Sequence, residues 1–438
     1  MSFQDKTLST IDSKIILAER LQQSRQAAQA MASLTTDAKN TALGHLATLL
    51  RQEAQTLLQA NRHDLDAAYE GNLQESLLQR LKLDESKINT LIEGTEQVIQ
   101  LPDPSHRVLQ RTQLDDGLIL EQRSVPLGVI ALIFESRPDV MPQVLALMLK
   151  SGNAVVFKGG QEATHSNRAM MALVDKLTQL AGLPAGWAQL IEGRKAVTEL
   201  LNYPQYVDLV IPRGSNALVQ HIMANTRIPV LGHADGVCHL YVHTSADIAK
   251  ALAVVLDAKT HYPSACNALE TLLLDAPLAE TFLPMLSEAA LAAGLTLFGC
   301  NQTRQILPHL APVESWHTEY GELKLSIKLV DTVSEAISHI NHYGSHHTDG
   351  ILASDPSVID TFLTQVDSAN VYANASTRFA DGFRYGLGAE IGISTSRTHA
   401  RGPVGLQGLV TTQYRLTGQY HTVAPYSSGQ RAFQHTLL

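Results

Sequence analysis

The 438-residue chain has only three cysteines, and no two of them form a Cys-x-x-Cys pair. Three thiols cannot staple a disulfide framework, and without cysteine pairs there is no zinc ribbon or finger. Positive charge is also scarce. Lysine and arginine number 33 against 42 aspartates and glutamates, a formal charge of −9, and no basic run reaches five residues. That excludes the electrostatic footprint of a nucleic-acid binder and a polybasic membrane patch. Long apolar runs are missing too. The longest uncharged stretches, Leu177–Ile191 and Ala289–Thr303, are broken by Gln or Gly and fall short of the ~18 residues a membrane helix needs. The opening MSFQDKTLSTIDSK lacks the apolar core of a secretory signal. The expectation is a soluble protein of the reducing cytoplasm, and its length suggests two or three domains of roughly 100–200 residues.

Residues 1–105 have helical texture, with Leu43, Leu46, Leu50 and Leu57 recurring at helix spacing between polar faces. The period then changes. Val108–Ser124 holds two extended stretches around Asp115-Asp116-Gly117, a hairpin signal because Asp-Gly accepts positive φ. From Val125 onward, short apolar runs at Gly128–Phe134, Ala154–Phe157, Ala188–Ile191 and Asp208–Ile211 alternate with helical segments. A second set follows: helix Asp247–Lys259, strand Leu269–Leu274, helix Leu278–Ala293, strand Leu323–Val330, helix Ser334–His342 and strand Gly350–Ala353. Apolar strands separated by helices indicate parallel sheets covered on both faces, an α/β fold.

The three cysteines separate by context. Cys238 lies in an apolar strand-like run, and Cys300 follows Phe298-Gly299 with no local activating partner; both are expected to be packing residues. Cys266 sits in a loop of small residues, Tyr262-Pro-Ser-Ala-Cys-Asn, between a helix and a strand. Loops on rigid scaffolds display nucleophiles, but thiolate activation depends on neighbours that the sequence does not reveal, so nucleophile and loop filler both remain open.

There is no Gly-x-Gly-x-x-Gly fingerprint. Two strand ends could still hold phosphate: Lys158, followed by Gly159-Gly160, and Pro212-Arg-Gly214-Ser215 before a helix. The histidine-rich stretch His339–His347 invites a metal reading, but only Asp349 is at hand as a carboxylate, so no metal is expected.

Taken together, the segments VPLGVIALIFESRPDV (125–140), SGNAVVFKGGQEATHSN (151–167), YVDLVIPRGS (206–215), YPSACNALETLL (262–273), HINHYGSHHTDGIL (339–352) and VYANASTRFADGFRYGLGAEIGIST (371–395) resemble the γ-glutamyl phosphate reductases of the aldehyde dehydrogenase superfamily. The likeness spans residues 10–415 and leaves Tyr420–Leu438 as a tail. It implies two intertwined doubly wound α/β domains plus an oligomerisation hairpin. The expected boundaries are 1–230 for the cofactor domain with hairpin 108–124, 231–372 for the catalytic domain, and 373–438 for a return to the cofactor domain.

The resemblance further implies NADPH-dependent reduction of L-glutamyl 5-phosphate to glutamate 5-semialdehyde, the second step of proline biosynthesis, with Cys266 as the nucleophile. A homo-oligomer is expected, with glutamate 5-kinase as supplier of the acyl phosphate. Hydrolytic relatives carry a water-activating glutamate where this chain has Gly232-His-Ala-Asp-Gly-Val-Cys-His239. Asp235 is the local substitute, so a hydrolytic NAD(P)-dependent semialdehyde dehydrogenase using the same cysteine is the alternative. For the cofactor, Lys158, Gln161, Gly214, Ser215 and Glu319 match binding positions. Neutral Gln161 stands where NAD enzymes place a carboxylate, which favours NADP. Glu135, Arg137, Asn374, Arg378 and Asp381 lie in reductase-specific segments and are the expected substrate contacts.

Overall fold

A computed structural model describes residues 3–193, 195–232 and 235–438, the side chains of residues 3–14 and Ser76 excepted. The chain divides into two compact units, residues 1–230 with 405–438, and residues 231–404. Residues 373–404 fall in the second unit, and the chain returns to the first at Gly405. The physical reason is that strand Asn370–Ala373 joins the second unit's sheet, and Asn374–Ala380 folds back over that sheet rather than leaving it.

In the first unit, five helices (Phe3–Met31, Thr36–Gln52, Ala54–Glu70, Glu75–Leu81, Glu85–Gln100) precede the sheets. Leu43, Leu46, Leu50 and Leu57 are buried as their spacing predicts. Thr35 and Asp84 cap their helices by accepting from Ala38 N–H and Lys87 N–H, satisfying donors the helix itself cannot. A four-stranded parallel sheet runs in the order Ala188–Leu190, Ala154–Lys158, Val129–Phe134, Leu209–Arg213. Its central strands are buried at every position, which is why they read as continuous apolar runs rather than alternating ones. The hairpin Val108–Asp115/Leu118–Pro126 turns through Gly117 at φ +68°. Strand Val410–Thr417 pairs with one edge of this hairpin and Thr436–Leu437 with the other.

The second unit is built on a seven-stranded parallel sheet with strands 348–352, 238–242, 269–275 and 324–330 at its centre. Helices Ile248–Thr260 and Ala279–Ala292 pack their apolar sides against it around Leu272, Leu274, Phe282 and Leu286. The two sheets use opposite edges. Lys158 and Arg213 are the last residues of their strands, whereas Cys266 comes just before strand Leu269–Asp275. Among the described residues, no helix is long and apolar enough to cross a membrane.

Candidate active site

At the carboxyl edge of the first unit's sheet, a cavity of about 220 Å³ is lined by Lys158, Gly159, Gln161, Thr164, Arg168 and Glu192, among others. Lys158 is 8% exposed and its Nζ donates to Gly159 O at 2.6 Å. Burial pulls its pKa down, opposed by the carboxylates of Glu162, Glu192 and Glu135. Glycine at 159 is a packing requirement: a Cβ there would lie 2.2 Å from Asn167 Nδ2. Asn167 is itself buried, and its Oδ1 has no hydrogen-bond partner among the described residues. An unmet buried acceptor beside a buried ammonium fits a polar ligand with both N–H or O–H groups and negative charge. Gln161 opens the short 3₁₀ turn Gln161–Ala163 and is exposed to this cavity. Arg168 stands at the rim in a two-bond pair with Glu192, at 2.9 and 3.1 Å.

The turn Gly214-Ser215 is placed as expected, at the end of strand Leu209–Arg213 and the start of helix Asn216–Ala224. Its anion cradle is taken by the chain's own carboxylate. Glu135 Oε2 accepts from Ser215 N–H at 2.9 Å and lies where a Cβ on Gly214 would be, 2.5 Å away. Glu135, an expected substrate contact, here faces a helix N-terminus, where the dipole favours an anion. Ser136, at φ +46°, gives both its N–H and its hydroxyl to Glu162 Oε1. Arg137 is half-buried, and its carbonyl accepts from Val140 N–H as the next helix begins.

In the second unit, Cys266 is half-buried in the loop between helix Ile248–Thr260 and strand Leu269–Asp275. Its carbonyl accepts from Cys238 Sγ at 3.3 Å, so Cys238 is buried and also holds the Cys266 loop. Burial pushes the Cys238 thiol well up, with Asp349 adding to the effect, so it stays protonated and able to donate. Asn267 Nδ2 pins the other side of the loop to Ala380 O at 2.8 Å. Among the described residues, nothing accepts from the Cys266 N–H, which leaves it available to an oxyanion. Gly236 lies flat against this backbone; a Cβ there would sit 2.3 Å from Cys266 O and 2.6 Å from its Cα.

Arg378 is brought to Cys266. Its guanidinium lies 5.8 Å from the centre of the Tyr262 ring, and its buried Nε has no hydrogen-bond partner among the described residues. Burial and then Arg384 lower its pKa, while the Cys266 thiolate and Asp381 pull it back up. Asp381 also caps its own turn, accepting from the N–H groups of Phe383 and Arg384 at 3.0 and 3.1 Å. Asn374 is not brought to the thiol. Its amide exchanges two hydrogen bonds with Ala353, at 3.0 and 2.8 Å, beyond the end of strand Thr348–Leu352. That is the carboxyl edge of a sheet whose amino edge carries Cys266. A left-handed φ of +56° suits asparagine there, and these two bonds leave its amide one N–H and one lone pair.

Glu319 is half-buried in the segment before strand Lys324–Val330. Among the described residues, no group of three or more His, Cys, Asp or Glu is placed to hold a metal ion. His339 is instead walled in by the rings of Trp316, Tyr343 and His239. Cys300 does have activating partners, contrary to expectation. It caps helix Asn301–Ile306, and although burial opposes ionisation, the Thr303 hydroxyl and N–H lower its pKa. Within the stretch that replaces the hydrolytic glutamate, His233 and Ala234 lie outside the described residues.

Sequence reasoning missed Gly236, Lys259 and Glu270. Only Glu270 left a signal, as the one charge in the apolar stretch Ala268–Leu274.

Residues 12–295 match the aldehyde dehydrogenase family. The chain is 50% identical over 415 residues to the gamma-glutamyl phosphate reductase of Pelotomaculum thermopropionicum, covering 94% of this chain and 96% of that one. It is 50% identical over 427 residues to that of a Synechococcus strain, covering 96% and 94%. The crystal structure of gamma-glutamyl phosphate reductase from Thermotoga maritima superposes with a TM-score of 0.91 at 40% identity, covering 93% of this chain and 99% of that one. The chain therefore belongs to the aldehyde dehydrogenase family and, within it, to the gamma-glutamyl phosphate reductases.

Proposed function

We propose that the protein reduces L-glutamyl 5-phosphate with NADPH to L-glutamate 5-semialdehyde and phosphate, through a thioester on Cys266. The carrying observation is Cys266 itself: its N–H is open, and Arg378, whose buried Nε is unmet, is brought to it. Sγ attacks the acyl carbon, the C–O bond to phosphate breaks, and inorganic phosphate departs with that electron pair. The Cys266 N–H is placed to stabilise the oxyanion, and Arg378 to pair with the departing phosphate or the substrate carboxylate. When bound, the nicotinamide supplies a hydride to the thioester carbon. Collapse of the resulting hemithioacetal releases the aldehyde and regenerates the thiolate.

The residues lining the first unit's cavity suit a dinucleotide. Lys158 supplies positive charge, Gln161 places no carboxylate against a 2′-phosphate, and Asn167 Oδ1 offers an unused acceptor. Gly214 and Ser215 would receive phosphate once Glu135 yields the cradle, and Glu319 would meet the nicotinamide ribose. The acyl phosphate is unstable, so its supplier is an ATP-dependent kinase acting on the glutamate side chain, glutamate 5-kinase. Both the reductive chemistry and the free thiols suit the cytoplasm. The four-stranded antiparallel sheet, whose outer strand Val410–Thr417 exposes Tyr414 and Leu416, is the proposed surface for a second copy.

The deciding experiment runs the reaction backwards. Oxidation of the semialdehyde with NADP is expected to require added phosphate, and Cys266→Ser is expected to abolish it. Rapid oxidation to free glutamate without phosphate would establish the hydrolytic alternative instead.

A further inference from the structure

One ion pair in the second unit is buried completely. Lys259, in the last turn of helix Ile248–Thr260, reaches Glu270 on strand Leu269–Asp275 with Nζ to Oε2 at 2.7 Å, the side chains 0% and 1% exposed. The pair brackets the nucleophile loop, one partner on the element before Cys266 and the other on the element after it. Glu270 does not stop there. Its Oε2 also accepts from Tyr320 N–H and its Oε1 from Gly321 N–H, both at 3.3 Å. These are the two residues immediately after Glu319. Gly321 turns the chain at φ +61°, and the Tyr320 ring stacks on Phe298 while its hydroxyl meets Ser326 Oγ.

An ion pair in the core is a poor device for stability alone, because desolvating two charges consumes most of what their attraction returns. Burial accordingly pushes Glu270 up to about 7, with Lys259 holding it back, and pulls Lys259 down. What apolar packing could not supply is direction: a carboxylate that accepts from two backbone N–H groups and an ammonium fixes three segments relative to one another. Sealed from solvent and with both oxygens engaged, Glu270 has no route to the substrate's protons.

We propose that Glu270, held by Lys259, is a positioning residue that clamps the Glu319 segment to the elements carrying Cys266. This rests on the reading of Cys266 as nucleophile and of Glu319 as the ribose contact. It gives the Glu270 carboxylate a task at the nicotinamide end of the reaction rather than in bond making.

The test compares two charge-neutral double variants of the full chain. Lys259→Met/Glu270→Gln keeps an acceptor for the Tyr320 and Gly321 N–H groups; Lys259→Met/Glu270→Met has the same length and no strong acceptor. NADPH binding, followed by nucleotide fluorescence, is expected to stay close to wild type in the Gln variant and to weaken about tenfold or more in the Met variant. Cys266 alkylation by iodoacetamide without cofactor should be little changed in both, which a general loss of structure would not produce. Wild-type NADPH affinity in the Met variant overturns the clamp, as does equal loss in the two variants.

If the Met variant does not fold, amide hydrogen exchange in the Gln variant decides. Retained protection at Gly321 supports the clamp, whereas lost protection with unchanged NADPH affinity refutes it. Glu319→Gln run alongside separates the two ideas: NADPH binding untouched by that change removes the ribose reading, while full activity in Cys266→Ser removes the nucleophile.

Discussion

Replacing Gly236 with alanine tests the active-site geometry with a single carbon atom. The added Cβ would meet Cys266 O at 2.3 Å, Cα at 2.6 Å and C at 2.8 Å. All three are backbone atoms, so no side chain can rotate away. Ordinary contact begins near 3.4 Å, so the strand or the nucleophile loop must retreat by about 1 Å. Over-packing of this kind costs about 1–3 kcal/mol of stability, well within what a folded domain tolerates. The catalytic cost is expected to be larger, since a misplacement of about 1 Å lowers rates roughly 100-fold. The assay is kcat of the phosphate-dependent reverse oxidation, with circular dichroism and the urea midpoint showing that the fold persists. Gly94→Ala is the control, because a Cβ there meets nothing within 4 Å. A kcat for Gly236→Ala close to that of wild type would show that this backbone contact does not hold the thiol in place.

Gln161→Glu brings a negative charge to the cavity edge where we propose the 2′-phosphate lies, and should move preference from NADPH toward NADH; an unchanged ratio of kcat/KM values removes that proposal. His339 predicts acid sensitivity. Burial, then His239 and the cations nearby, pull it from 6.5 to about 2, so it folds neutral. Above pH 6.5 its contribution is complete. Below that pH the unfolded chain takes up a proton that the fold refuses, so stability falls by up to about 1.4 kcal/mol per pH unit. His339→Leu should flatten the urea midpoint between pH 7 and 5, and an unaltered slope refutes the assignment. Asp115 accepts from Tyr426 at 2.8 Å and Gln434 at 3.3 Å and pairs with Arg431 at 2.7 Å. Asp115→Ala should therefore expose residues 418–438 to limited proteolysis without changing kcat, and a tail that remains resistant has other anchors.

Much of the molecule was legible because the physics that shapes it is local. Continuous apolar runs marked the parallel strands, since a strand covered on both faces has no polar side to show. Asp115-Asp116-Gly117 marked the hairpin, because the turn needs a residue at ease with positive φ. Cys266 stood out by its loop, and Arg378 by its segment. The failures have a common origin. Glu135 and Asn374 carry the right functional groups for a substrate, but in the structure a helix N-terminus and a strand end engage them. No local pattern reports that, for a hydrogen-bond partner 80 residues away is set by the fold.

The three cysteines with which the sequence is so sparing show the division. Their number and surroundings excluded a disulfide framework and singled out Cys266 as the one loop thiol. Tertiary structure assigned the other two their work, Cys238 as a donor to the Cys266 carbonyl and Cys300 as a helix cap. It also set Gly236 against the Cys266 backbone and closed Lys259 onto Glu270 beside it. Sequence determines which chemistry a chain can offer; which atoms are free to perform it depends on contacts between segments far apart in the chain, and these exist only once the sheets have formed.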